Sequence, residues 1–208
     1  MGQAKQRRLA QERGSVLCSE IDLARVAAAV QRICTAASAN LGVDCFVQAR
    51  MAQHVLRCLG LSADLVIGYA AWRVGPGPGD VISHYPAGHT MAGSAAYHAW
   101  VRVEDHIFDV TTNTLALKAE MLDALDGGHT SVSWAPTYLW LPMASSRSLQ
   151  EVTQGLHGGV SSYLPHAALQ QFVMNNLEAS DGTNEALAWL AYQAPDSRVL
   201  GPNTLMAA

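Results

Sequence analysis

The residues best suited to chemistry lie in the segment Tyr97-His98-Ala99-Trp100-Val101-Arg102-Val103-Glu104-Asp105-His106-Ile107-Phe108-Asp109-Val110-Thr111. Val101, Val103, Ile107, Phe108 and Val110 are strand formers and Glu104-Asp105 is a polar break, so the segment reads as a β-hairpin. An even-numbered turn pairs Arg102 with Ile107 and Trp100 with Asp109. His98 and Asp109 then share one face as diagonal neighbours, about 7–8 Å apart at the backbone. An odd-numbered turn would put them on opposite faces. In the even register the hairpin supplies an imidazole and a carboxylate able to orient it, a general base that requires a nucleophile. Of the four cysteines, Cys45 opens a helical pattern, where unpaired N–H groups and the positive end of the helix dipole favour a thiolate. Cys58 falls at the opposite end of that helix, where the dipole works against ionisation, and Cys18 and Cys34 have no base suggested nearby. A thiol, a base and an orienting acid are the parts needed for acyl transfer through a thioester.

The elements that must hold these groups follow from periodicity. Residues 1–14 form a polar arm. Ser19 is placed to cap a helix to about Ser38 with Val26, Val30, Ile33 and Ala37 on one face. A second helix, from about Cys45 to Leu59, is apolar around most of its circumference apart from Arg50, His54 and Arg57, which predicts that it is buried within the domain. Gly60 ends it. Asp64 to Val74 reads as a buried strand, Gly75-Pro76-Gly77-Pro78-Gly79 as a loop, and Val81 to Tyr85 as a strand. Beyond the hairpin, a helix over 115–125 stops at Gly127-Gly128. Strands are predicted over 130–134 and 137–141, and helices over about 148–154, 165–178 and 184–192, with an irregular tail. The pattern is that of one domain of helices and strands over residues 15–195, with a tail over 196–208.

Composition narrows the function classes. Half of the 208 residues are apolar, which excludes a mainly disordered chain, and the net charge of −4 does not suit a nucleic-acid binder. No apolar run approaches the roughly 20 residues of a membrane span, and the polar opening residues resemble no export signal, so a cytoplasmic location is expected. The cysteines lack the spacing of a zinc site, no histidine–carboxylate set suits a metal, and no metal or other cofactor is expected. Ser145-Ser146 and Ser161-Ser162 lie outside any nucleophile-elbow pattern, and the glycine–proline loop lacks the lysine and following helix of a phosphate loop. His84, His89, His106 and His129 read as surface or loop residues, and Met51 and Met143 as core.

The order of the pieces resembles a known family. Cys45 at the head of a buried helix, Leu56-Arg57-Cys58-Leu59-Gly60-Leu61 at its end, the strand containing Ile67-Gly68-Tyr69, then His98-Ala99-Trp100-Val101 and Phe108-Asp109-Val110-Thr111 are similar to the transglutaminase-like core of papain-like Cys-His-Asp enzymes. The likeness spans about residues 40–113. Phe46 follows Cys45 where members of the family often carry tryptophan. The resemblance implies an α+β fold, with a cysteine helix packed on an antiparallel sheet, and gives Cys45 as nucleophile, His98 as base and Asp109 as its orienting acid. It implies a thiol peptidase, deamidase or transamidase whose partner is a peptide, protein or small amide. An arylamine acetyltransferase and a non-catalytic binding module on the same scaffold are the alternatives; the arginine-glycine-glycine lead-in of the former is missing before Cys45. The Cys45 backbone N–H is the first candidate oxyanion donor, the Asn40 side chain a second, and Trp100 is a candidate wall of the cleft.

Overall fold

The computed structural model of the protein describes residues 21–86, 96–176 and 181–205. The polar arm, Ser19, Cys18 and His89 lie outside those residues. Among the described residues, seven α-helices and a curled antiparallel sheet make an α+β fold. In chain order these are α1 (Leu23–Ala37), α2 (Cys45–Cys58), β1 (Ala63–Arg73), β2 (Val81–Ser83), β3 (His98–Val103), β4 (His106–Asp109), α3 (Leu115–Asp126), β5 (Leu139–Pro142), α4 (Leu149–Gln154), β6 (Ser161–Pro165), α5 (Ala167–Asn176), α6 (Thr183–Gln193) and α7 (Pro202–Leu205).

β1 organises the sheet, because its eleven residues are long enough to serve three partners. Its first half pairs with β3 (Ile67 opposite Ala99, Gly68 opposite His98) and its second half with β2 and β6. The strand order runs β2-β1-β3-β4-β5, with β6 on β1. The hairpin has the even register, with Arg102 opposite Ile107, and turns through Glu104 at φ 53°. A positive φ is uncommon outside glycine, and a tight two-residue hairpin turn requires it.

Period-two alternation then gives the sheet two apolar faces. One carries Ala99, Val101, Val103 and Phe108 against Met51, Ala52, Val55 and Leu56 of α2, with α1 and α6 outside them. The other carries Val66, Trp72, Trp100 and Ile107 against Leu115 and Ala119 of α3 and Tyr163 of β6. Buried residues span most of α2 from Cys45 to Leu56, as a helix enclosed in the domain requires.

Several expectations need correction. α1 starts at Leu23, capped by the Asp22 carboxylate accepting the Arg25 N–H at 3.0 Å. Residues 130–134 form no strand: the N–H groups of Ser133 and Trp134 both donate to the Val74 carbonyl, a convergence that leaves no alternating ladder. β6 went unpredicted because Ser161-Ser162-Tyr163-Leu164-Pro165 has too few apolar residues to show alternation. The tail contains α7. Among the described residues no helix is long and apolar enough to cross a membrane.

Candidate active site

Cys45 is the first residue of α2, and the chain reaches it through a turn that includes Gly42 at φ 97°. Asp44 precedes it, its carboxylate accepting the Ser38 hydroxyl at 2.7 Å and the Gln48 amide at 2.8 Å. These bonds tie the turn to the helix it starts. His98 opens β3 and Asp109 closes β4, so both sit at the same end of the hairpin.

The structure brings Cys45, His98 and Asp109 together. The Nε2–H of His98 donates to Asp109 Oδ2 at 2.8 Å, and both side chains are fully enclosed. Nδ1 has no conventional hydrogen-bond partner among the described residues, which leaves its lone pair to the Cys45 thiol beside it. Burial by itself would raise the thiol's pKa. The hydrogen bond and charge of His98, the charge of Lys118 and the Ala99 N–H outweigh it, and the pKa falls below the ordinary thiol value. For His98, burial disfavours the cation but Asp109 and Cys45 prevail, and its pKa is raised. The pair is therefore biased toward thiolate and imidazolium.

Asp109 is held ionised by four donors. Oδ2 accepts His98 and the Tyr163 hydroxyl at 2.7 Å, while Oδ1 accepts the Thr111 N–H and hydroxyl, each at 2.9 Å. Burial opposes its charge, but the facing His98 and these bonds depress its pKa strongly. Trp72 donates Nε1–H to the Tyr163 hydroxyl at 2.8 Å, extending the network to β1. Its indole meets the His98 ring edge-on, centroids 4.8 Å apart.

Other predicted residues stand elsewhere. Asn40 is exposed, its carbonyl accepting the Val43 N–H at 3.0 Å, and it borders a small pocket with Cys34, Asp44 and Asn184. Trp100 is buried and stacks with His98, ring centroids 6.1 Å apart. His84 is not a surface residue: it lies part-buried 5.3 Å from His98 and 5.5 Å from Trp72, with Nδ1–H donating to the Tyr97 carbonyl. Burial and the charge of Lys118 lower its pKa to about 3, so it is neutral. Cys34 is buried, and desolvation with the nearby Asp44 raises its pKa. Cys58 is exposed.

Tyr163, Trp72, His84, Lys118 and the Ala99 N–H were missed. Thr111 was read only as part of the aspartate strand. Its two-residue spacing from Asp109 is a local signal of side chain-to-backbone bonding; the others had none in the sequence. Among the described residues no group of three or more histidine, cysteine or acidic side chains is placed to hold a metal ion. No family model and no curated protein matches the chain. It shares its fold with a solved crystal structure described as genomics APC5867, with a TM-score of 0.60 and 14% identity over 84% of this chain and 80% of the other.

Proposed function

We propose that the chain is a thiol enzyme of transglutaminase-like type, acting on amide-linked acyl groups through a thioester on Cys45. The observation that carries this reading is the enclosed Asp109–His98 pair, whose free ring nitrogen is left to a thiol at a helix N-terminus. The Cys45 thiolate attacks the acyl carbonyl, and the carbonyl π electrons move onto oxygen. As the tetrahedral adduct collapses, the C–N bond breaks and His98 Nδ1–H protonates the departing amine. Asp109 holds the ring so that Nδ1 faces sulfur and stabilises the imidazolium throughout. In the second half, neutral His98 takes a proton from water or an amine, which attacks the thioester carbonyl and releases the thiolate. Water gives hydrolysis or deamidation; an amine gives transamidation.

Cys45 is only 4% exposed and His98 0%. Such enclosure favours, as a second reading, a binding module that keeps the scaffold without turnover. A peptide library, a glutamine donor with an amine acceptor, and an acyl-CoA with an arylamine separate the outcomes by mass spectrometry. Trapping of an acyl group on Cys45 with any of them supports the enzyme reading, and the successful donor identifies the class. Cys45→Ala is expected to reduce turnover to background, and Asp109→Asn to reduce it by on the order of 10²–10⁴-fold through a misoriented imidazole. Turnover in Cys45→Ala at the wild-type rate would refute the mechanism.

A further inference from the structure

Lys118 lies on α3 one turn after Leu115 and next to Ala119, and it is buried with them. It is 3% exposed, and its Nζ has no hydrogen-bond partner among the described residues. The ammonium sits over the Trp72 indole, 5.2 Å from the ring centroid, and the same indole contacts His98, His84 and Tyr163 with its edge. A buried ammonium without a counter-ion is costly and is seldom retained without a compensating anion. The chain contains a contrasting case. Arg73 is equally enclosed, but its guanidinium donates to the Val152, Gly77 and Thr153 carbonyls at 2.7, 2.7 and 2.6 Å. Lys118 has no such cradle.

What surrounds Lys118 is charge of the reactive cluster. Thiolate, imidazolium and carboxylate together carry one net negative charge, and the Lys118 ammonium brings the enclosed group of four to zero. We propose that Lys118 is a positioning residue for the nucleophile, the enclosed counter-charge that lets the Cys45–His98–Asp109 cluster hold a thiolate, an imidazolium and a carboxylate together without net charge. This rests on the reading of Cys45 as the nucleophile. The titratable groups about it are Cys45 of α2, His84 after β2, His98 of β3, Asp109 of β4 and Tyr163 of β6. On its own helix Glu120 is exposed, and Asp123 is engaged by the Thr130 N–H and hydroxyl. Its charge is felt at three of these groups, favouring the thiolate of Cys45, the carboxylate of Asp109 and the neutral ring of His84.

The test is the rate of Cys45 alkylation by iodoacetamide against pH, with each adduct located by peptide mass spectrometry and the exposed Cys58 as internal reference. Wild type is expected to inflect well below the free-thiol value of about 8.5. Lys118→Met should move the inflection up by about one unit or more, a roughly tenfold loss of thiolate at a pH below both inflections, while circular dichroism stays native. Lys118→Gln repeats the measurement with a polar neutral side chain, in case the methionine disturbs packing. Lys118→Arg, which keeps the charge, should stay near wild type. An unshifted inflection in both neutral variants, or an arginine variant that shifts as far as they do, overturns the proposal, since charge would not be the agent. A wild-type profile with no low inflection overturns instead the activated-nucleophile reading, and the proposal with it.

Discussion

At the scale of single residues, the site is decided by who donates to Asp109. Tyr163 donates to it and accepts from Trp72, bridging that indole to the carboxylate. Tyr163→Phe therefore removes one bond to the acid and leaves the Trp72 N–H unsatisfied in the core. A stability loss of about 1–3 kcal/mol is expected from that orphaned donor, measurable by urea denaturation, with turnover reduced but thiol labelling retained. His84 gives a pH signature. The unfolded chain takes up a proton near the ordinary histidine value of about 6.5, which the folded chain refuses until about pH 3. The unfolded state thus binds more protons across that window, and stability falls as pH drops through it. His84→Asn should flatten the melting temperature between pH 6.5 and 4, compared in a Cys45→Ala background so that the thiol does not titrate. If both proteins lose stability equally over that range, burial of His84 is not the cause. The sequence made Cys45, His98 and Asp109 legible because thiol, imidazole and carboxylate carry their chemistry in their type and, for the last two, in hairpin spacing. Tyr163 and Lys118 were illegible because a tyrosine and a lysine acquire these roles only through long-range packing.

At the scale of elements, the cysteine helix and the hairpin were readable because each has local punctuation: Gly60 after α2, and Glu104-Asp105 between β3 and β4. β6 lacked it, and the contact that docks it is a backbone one. A Cβ on Gly68 would lie 2.1 Å from the Leu164 carbonyl oxygen and 2.9 Å from the Pro165 Cα, so β6 could not close on β1. Gly68→Ala is expected to cost about 2 kcal/mol or more as the strand is pushed off, and to carry Tyr163 away from Asp109. Gly79→Ala, where the added carbon meets nothing within 4 Å, is the control. Equal melting temperatures for the two variants would show that the sheet absorbs the displacement.

At the scale of the molecule, the chain beyond residue 181 is fastened back onto α1. Arg32 donates to the Ala191, Ala194, Pro195 and Ser197 carbonyls, and Arg25 to those of Tyr192 and Gln193. Those of Ala191, Tyr192 and Gln193 belong to the last turn of α6, whose carbonyls lack helical partners, and those of Ala194, Pro195 and Ser197 follow it. Arg32→Ala should lower stability by about 1.5–3 kcal/mol, as loss of charge-assisted bonds implies, and raise amide exchange along α6 before the sheet. Uniform exchange would refute a separate closure of this segment. The two-faced sheet has a wider consequence. Cys45 belongs to the layer on one face, whereas the His98 ring packs among Trp72, Trp100 and Tyr163 on the other. Under the proposed mechanism neither layer alone holds the full set: the thiol of one meets its base only when the other is in place. Reactivity is thus a logical conjunction of two assembled halves. A nascent or partly unfolded chain, with one layer formed and the other open, would expose its cysteine as an ordinary thiol, without the base that activates it.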